Sequence, residues 1–84
     1  MVNRHVLKIE AEYARAVLEK KKTFEVRKND RDFKVDDIII FCVPDNDYLD
    51  SQMAYHTYRI TYITDYAQRE GYVVMSIYDL LWTK

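Results

Sequence analysis

Cysteine, proline and glycine each occur once in this sequence of 84 residues, and its apolar runs are short. A transmembrane helix needs about 20 predominantly apolar residues, whereas the longest apolar run here is the six residues from Ile38 to Val43. No charged-then-apolar leader marks a secretory signal. We therefore expect a cytoplasmic protein that does not associate with a membrane. The lone Cys42 lies in the apolar run, which predicts core packing rather than a catalytic thiol.

The length predicts one domain over residues 1–84. A domain of this size buries roughly 60% of its unfolded surface and has little room for a deep cavity, so we expect any binding site to be a surface cleft. With 49% hydrophobic and 14% aromatic residues, the chain has the composition of an ordered globular protein. His5, Cys42 and His56 show no recognised metal-ligand spacing, and we predict neither a metal site nor a cofactor.

Apolar and polar residues alternate in a pattern that predicts an α+β fold. Strands are expected over residues 5–9, 23–28, 37–43, 53–65 and 72–78, with one helix over residues 11–19 after the first strand. Residues 44–52 are expected to form an acidic loop. Residues 65–71 are expected to form a hairpin loop, in which Gly71 supplies a positive φ.

The segment 53–65 is rich in Tyr and Thr and strongly favours a strand. Ten of its residues in a straight strand would span about 33 Å, whereas a domain of this size is only about 24 to 30 Å across. The strand must therefore bend. A bent strand favours a small mixed β-barrel of about five strands over a flat sheet.

Positive charge is concentrated between Lys20 and Lys34. Seven of the 13 basic residues lie in these 15 positions, and with the three acidic residues there they give a local charge of +4 in a chain whose net charge is −1. This local excess favours an anionic partner, such as phosphate or a carboxylate, over general affinity for nucleic acid. Alternatively, the three lysines 20–22 follow the predicted helix and only complement the negative end of its dipole.

The strand predicted over residues 23–28 alternates between an apolar and a polar face. Arg27 can bind a phosphate or carboxylate through two parallel hydrogen bonds, and Glu25 can accept hydrogen bonds from amide or exocyclic N–H groups. Alternatively, the two form an exposed ion pair of little energetic value. We predict that RNA or a nucleotide binds to the following residues: Lys22, Thr23, Glu25, Arg27, Lys28 and Arg31.

Two segments carry a resemblance to a known family. Lys22-Thr23 with Arg27 four residues on, and then Phe33 followed by Asp36-Asp37 opening an apolar strand, are similar to the ASCH domains of the PUA-like superfamily. More closely, residues 5–9, 22–33, 62–66 and 71–77 resemble a small ASCH-related family of unknown function from phages and Gram-positive bacteria. The resemblance implies a PUA-like β-barrel with an adjacent helix, and a cleft lined by the Lys22–Arg27 strand. It also implies an association with RNA or modified nucleosides.

An alternative function is hydrolysis of an acylated nucleoside. Some ASCH domains are amidohydrolases that act on N4-acetylcytidine, and Lys22 matches their catalytic lysine. Glu25 occupies the position of their nucleophilic threonine, and a carboxylate can act as a general base but cannot form the same ester. In this alternative Lys22 and Glu25 are the catalytic residues. Thr23 is expected to point to the opposite face from Lys22.

A third possibility is a protein-interaction module of phage origin. The apolar tail of Leu80, Leu81 and Trp82 is expected either to cap the core or to meet a second copy, so the chain is expected to be a monomer or a weak homodimer. The tyrosines can pack in the barrel or stack nucleobases. One or two are expected to stack, among the following: Tyr55, Tyr58, Tyr62, Tyr66, Tyr72 and Tyr78.

Overall fold

A computed structural model describes residues 2–82 of the protein and contains five strands and two helices. The α+β class and the number of strands are as predicted. The elements, in chain order, are β1 (Arg4–Lys8), α1 (Ala11–Leu18), β2 (Phe24–Lys28), β3 (Ile38–Cys42), α2 (Asp47–Met53), β4 (Tyr58–Thr64) and β5 (Tyr72–Asp79).

The strands form one mixed sheet in the order β1-β3-β4-β5-β2, which curls into a half-barrel. β1 and β3 are parallel, whereas β3, β4, β5 and β2 are antiparallel to their neighbours. β1 and β2 are therefore the two edges of the sheet. The small mixed β-barrel that the sequence predicted is therefore present as an open half-barrel, in which the two edge strands do not pair with each other.

The core lies inside the curl of the sheet and under the two helices. β3 lies between β1 and β4 and contributes the fully buried Ile39 and Phe41, whereas Cys42 beside them is only half-buried. From the helices, Val17 and Met53 pack into the same core. The remaining buried apolar side chains are Leu7, Ile9, Ala14, Phe33, Val43, Leu49, Tyr58, Ile60, Val73, Met75 and Ile77.

β4 bends at a bulge rather than along a continuous long strand. The pairing with β5 runs from Ile60 opposite Ile77 to Tyr62 opposite Ser76, so Thr61 is the extra residue. A bulge increases the local twist of a strand. The expected bend is present, but the strand is seven residues long and not the long segment that the sequence predicted.

The acidic loop expected over residues 44–52 is wrong, because most of it folds as the second helix, α2. The side chain of Asn46 accepts a hydrogen bond from the backbone N–H of Leu49 at 2.9 Å and caps the helix. Leu49 and Met53, four residues apart, bury one face of the helix. Burial of this apolar face against the rest of the fold stabilises the helix. The segment was predicted as a loop because it is too short to show a clear helical pattern.

Three turns between the strands and helices contain a residue with a positive backbone φ angle. Gly71 has φ 82° in the β4–β5 loop, as predicted. Lys20 has φ 63° and ends α1 in a Schellman turn, in which Lys21 N–H donates to Ala16 O at 2.9 Å. Asp36 has φ 80°, a conformation that favours glycine.

A buried carboxylate holds the start of β3 against β1. Asp37 Oδ2 lies 2.8 Å from Nε2 of His5, and its two oxygens also accept hydrogen bonds from the backbone N–H groups of Asn3 and Lys34, each at 3.1 Å. Burial by itself would raise the pKa of Asp37, but these hydrogen bonds outweigh it, and the pKa lies below its usual value.

A second buried carboxylate, Asp79, fixes the end of β5. Its Oδ2 accepts from Lys20 Nζ at 2.6 Å and lies 2.8 Å from Nδ1 of His56, while Oδ1 accepts from Leu81 N–H at 2.9 Å. Burial opposes ionisation here too, but these partners lower the pKa of Asp79 below its usual value.

Leu80 and Leu81 are 45% and 59% exposed and therefore do not enter the core.

Among residues 2–82, neither helix has the length and apolar character needed to cross a membrane.

Candidate functional site

A cleft of about 670 Å³ opens where the half-barrel fails to close, between the edge strands β1 and β2. The start of α1 forms one wall, and the segment after β2 forms another. Its lining residues are Leu7, Lys8, Ile9, Glu10, Tyr13, Lys22, Phe24, Glu25, Val26, Arg27, Lys28, Asp30, Arg31, Phe33 and Tyr72. This volume is in the range of sites that bind small molecules.

Two arginine side chains span the gap between the edges. Ile9 N–H donates to Cys42 O, so the backbone N–H and C=O groups of the odd-numbered residues of β1 point toward β3. Those of the even-numbered residues point into the gap. In the gap, Arg27 donates from Nη2 to the carbonyl of Lys8 at 2.6 Å, and Arg31 from Nη1 to that of Val6 at 3.1 Å. Side chains thus satisfy carbonyls that a neighbouring strand would satisfy in a closed barrel.

Glu25 is the buried charge of the cleft, with only 4% of its surface exposed. Lys22 Nζ donates to its Oε1, and Arg27 Nε donates to its Oε2 at 2.8 Å. Lys22 also donates to the carbonyl of Phe24 at 2.6 Å. Each carboxylate oxygen has two lone pairs, so Glu25 keeps acceptor capacity for a further donor. We call Lys22, Glu25 and Arg27 the charged triplet.

Glu25 and Arg27 lie on the inner side of β2, and the apolar Phe24 and Val26 lie on its outer side. Phe24 and Val26 are 45% and 47% exposed, whereas Glu25 is buried and Arg27 is half-buried. The alternation along β2 is as predicted, but the usual order of apolar inside and polar outside is reversed. A strand at the edge of an open barrel can bury charges because the cleft beside them admits water and ligand.

Aromatic rings flank the lysine of the charged triplet. Lys22 Nζ lies 4.9 Å from the centre of the Phe24 ring and 5.8 Å from that of Tyr13. Both rings line the cleft and are 45% exposed. No local pattern places Tyr13 beside Lys22, since only the fold brings α1 against the segment that carries Lys22.

The tyrosines expected from the sequence separate into several environments. Tyr58 is buried, Tyr72 lines the cleft, and Tyr78 lines a smaller cleft nearby. Arg69 lies 4.2 Å from the ring centre of Tyr72. The side chains exposed by 63% or more, and absent from both clefts, are Tyr55, Tyr62 and Tyr66.

Five of the six predicted binding residues line the main cleft, and one does not. The five are Lys22, Glu25, Arg27, Lys28 and Arg31. Thr23, which lies just before β2, lines the smaller cleft instead. Its carbonyl accepts a hydrogen bond from Ile77 N–H at 3.0 Å and so continues the pairing with β5.

The main cleft carries a net positive charge. Five basic and three acidic side chains line it, which gives a net charge of +2. Lys8 and Glu10 are lining residues that the sequence reasoning missed, since they lie on and after β1, far along the chain from the basic segment. Within residues 2–82, no three His, Cys, Asp or Glu side chains are grouped so that they could hold a metal ion.

Residues 4–77 match the sequence profile of a family described as a domain of unknown function, DUF3850. The chain belongs to this family. The match covers all of β1 to β4 and most of β5, so every wall of the main cleft lies in the DUF3850 domain. No curated protein matches the sequence. The relationship to ASCH domains and the PUA-like superfamily stays a prediction from the motif residues.

Proposed function

We propose that this protein binds RNA, or a single nucleotide, in the main cleft. The observation that carries the proposal is the charged triplet, which lines a cleft of net positive charge flanked by two exposed aromatic rings. Cations attract the phosphate groups, and aromatic faces stack on bases. These are the two interactions through which single-stranded nucleic acid is bound without reading its sequence.

The parts of a nucleotide find complementary groups in the cleft. Lys28 and Arg31 stand at the exposed end of the lining, where they would attract a phosphate. Tyr13 and Phe24 would contact the face of a base. The free acceptor capacity of Glu25 would receive an N–H group from the edge of that base. The ligand is therefore a planar, hydrogen-bonding ring joined to an anion.

A titration with single-stranded and hairpin RNA at low and near-physiological salt tests the proposal, followed by the fluorescence of the tyrosines and Trp82. Lys28→Ala is the first variant, because its side chain is exposed and lines the cleft. Lys34→Ala is the matched control, since Lys34 is an exposed lysine outside the cleft. Alanine at Lys22 or Arg27 would also deprive the buried Glu25 of a partner, so Lys28 gives the cleaner result.

Lys28→Ala should weaken binding and reduce the slope of log K against log salt by roughly 0.7, the value for one lost contact with a single strand. A second pair of variants tests stacking. Tyr13→Ala should cost about 1 to 3 kcal/mol of binding free energy, whereas Tyr48→Ala, an exposed tyrosine on α2 outside the cleft, should cost nothing. Equal effects within either pair would contradict the assignment of the site.

Hydrolysis of an acylated nucleoside is the second candidate, favoured by the direct contact of Lys22 with Glu25 in the cleft. Thr23 faces the smaller cleft, so the attacking oxygen would come from water activated by Glu25. Glu25 would take a proton from water as the water oxygen bonds to the acetyl carbonyl carbon of N4-acetylcytidine. The C–N bond would then break, N4 would receive that proton, and acetate and cytidine would be released. Release of cytidine that Glu25→Gln abolishes would support this candidate, and no release from the wild-type protein would remove it.

A further inference from the structure

A second, smaller cleft of about 140 Å³ lies beside the first, where the end of α1 meets β5. Lys22 lines both clefts, so its side chain is common to their walls. Lys20 and Trp82 also line the smaller cleft. A cavity of about 150 Å³ holds one benzene ring, so this cleft is the size of one aromatic ring and not of a whole nucleotide.

The smaller cleft offers an aromatic surface next to two lysines, Lys20 and Lys22, which are paired with Asp79 and Glu25. Trp82 is 42% exposed and Tyr78 is 37% exposed, and their ring centres lie 6.1 Å apart at 53°. Lys20 Nζ lies 5.8 Å from the centre of the Trp82 ring. Indole is the largest aromatic face among the side chains and stacks well on bases. The cleft is thus suited to one more planar ring on a strand that carries negative charge.

A buried hydroxyl supplies a polar group in the same cleft. Tyr58 lines it, and within residues 2–82 its hydroxyl has no hydrogen-bond partner. Burial, together with the charge of Asp79, raises the pKa of Tyr58 far above its usual value, so the hydroxyl stays protonated and remains a donor. An unpaired buried donor destabilises the protein, and an acceptor oxygen of a ligand that reached this hydroxyl would supply the missing partner.

We propose that the smaller cleft binds the second nucleotide of the same strand, whose base stacks on Trp82 while the connecting phosphate passes Lys22. The inference rests on the proposed function of the main cleft and extends it. The preferred ligand is a single strand of at least two nucleotides, not a mononucleotide. Lys22 contacts both nucleotides because it lies between the two clefts.

Two small probes separate the contribution of the second base from that of charge. One is a mixture of the four ribonucleoside 3′,5′-bisphosphates, and the other is a mixed pool of 5′-phosphorylated dinucleotides. The bisphosphates carry at least as much negative charge as the dinucleotides but have no second base. We expect the dinucleotides to bind about 5- to 100-fold more tightly, the range of one stacked base, and to change the fluorescence of Trp82, the only tryptophan of the chain.

Two variants assign this gain to the smaller cleft. Trp82→Ala should remove most of it and leave the dissociation constant of the bisphosphates unchanged. Tyr58→Phe removes only the hydroxyl, so it should weaken dinucleotide binding severalfold without lowering the midpoint of urea unfolding. Tyr13→Ala should weaken both probes alike, because Tyr13 lines the main cleft alone.

Equal affinity for the two probes, or a gain that survives Trp82→Ala, would overturn the second subsite and leave the proposed function of the main cleft standing. Failure of both probes and of longer RNA to bind would overturn the proposed function and the subsite together. A dinucleotide gain that Trp82→Ala removes would support both.

Discussion

Two buried carboxylates in this protein, Asp37 and Glu25, are satisfied in different ways. Asp37 accepts hydrogen bonds from two backbone N–H groups in addition to the contact with His5, and it lines neither of the two clefts. Glu25 is held by the long side chains of Lys22 and Arg27, whose exposed fractions are 17% and 26%. Backbone partners cannot move without unfolding the chain, whereas lysine and arginine side chains can turn toward a ligand. The first carboxylate is therefore structural, and the second is suited to binding.

The largest effect is expected from Asp37→Asn. Asparagine keeps the shape of the side chain, but its NH₂ group faces N–H donors that the carboxylate had accepted. We expect the free energy of unfolding to fall by about 2 to 3 kcal/mol, as measured by urea denaturation. Asp45→Asn, at an exposed position, is the control and should change almost nothing. A small effect at Asp37 would contradict its structural role.

Acid should remove the same contribution to stability. The pKa of Asp37 and that of Asp79 are lowered in the folded protein, so their contribution is complete above the unfolded value, about 3.9. It is lost as the pH falls from there through the lowered folded pKa. The free energy of unfolding, measured between pH 6 and pH 2, should therefore decline below about pH 4. Asp37→Asn should make this decline shallower, and an unchanged pH profile would contradict the assignment.

A smaller loss of stability is expected from Glu25→Gln. Glutamine retains one acceptor oxygen, and the released lysine or arginine can be solvated in the open cleft. We expect a loss of about 1 to 2 kcal/mol in the free energy of unfolding, less than that for Asp37→Asn under the same conditions. Equal losses would mean that the cations around Glu25 are as fixed as the backbone around Asp37. The comparison between the two carboxylates would then fail.

The smallest effect, and one of opposite sign, is expected from Asp36→Gly. Asp36 has φ 80°, a conformation that strains a residue with a side chain. Its side chain accepts only an exposed hydrogen bond from Arg59 at 3.3 Å, which is worth little. Relief of strain, less the entropy that glycine loses on folding, should stabilise the protein by about 0.5 to 1 kcal/mol. A higher urea midpoint is expected, and Asp36→Ala should not reproduce it.

Local sequence patterns predicted much of the fold, because strand alternation and turn conformation depend mainly on residues that are adjacent in the chain. The alternation along β2, the apolar run of β3 and the single glycine of the β4–β5 loop each follow from one stretch of sequence. α2 was missed because its seven residues carry only two buried apolar side chains. A helix that short is stable only when other elements of the fold bury its apolar face. The local sequence does not show which elements will pack against it.

The candidate site was predicted in part, for the same reason. The basic segment identified Lys22, Glu25 and Arg27, because they are close in sequence. The aromatic wall was missed, because Tyr13 meets Lys22 only after α1 packs beside β2. The contacts of Arg27 and Arg31 with β1 join residues 19 and 25 positions apart. Contacts between residues so far apart in the chain form only when the sheet curls and brings its two edges close together.

The sequence by itself determined which residues alternate on β2 and that positive charge gathers there, since both follow from residue order and composition. Only the tertiary structure decided which face of β2 is inside. β2 forms one edge of a half-barrel, and the inner side chains Glu25 and Arg27 face the gap toward β1. There each charge is paired with an opposite charge and lies next to an open cleft. The register of β2 on β5 places Glu25 opposite Met75 and Arg27 opposite Val73, and both of these partners are buried, so the polar face of β2 is the inner one.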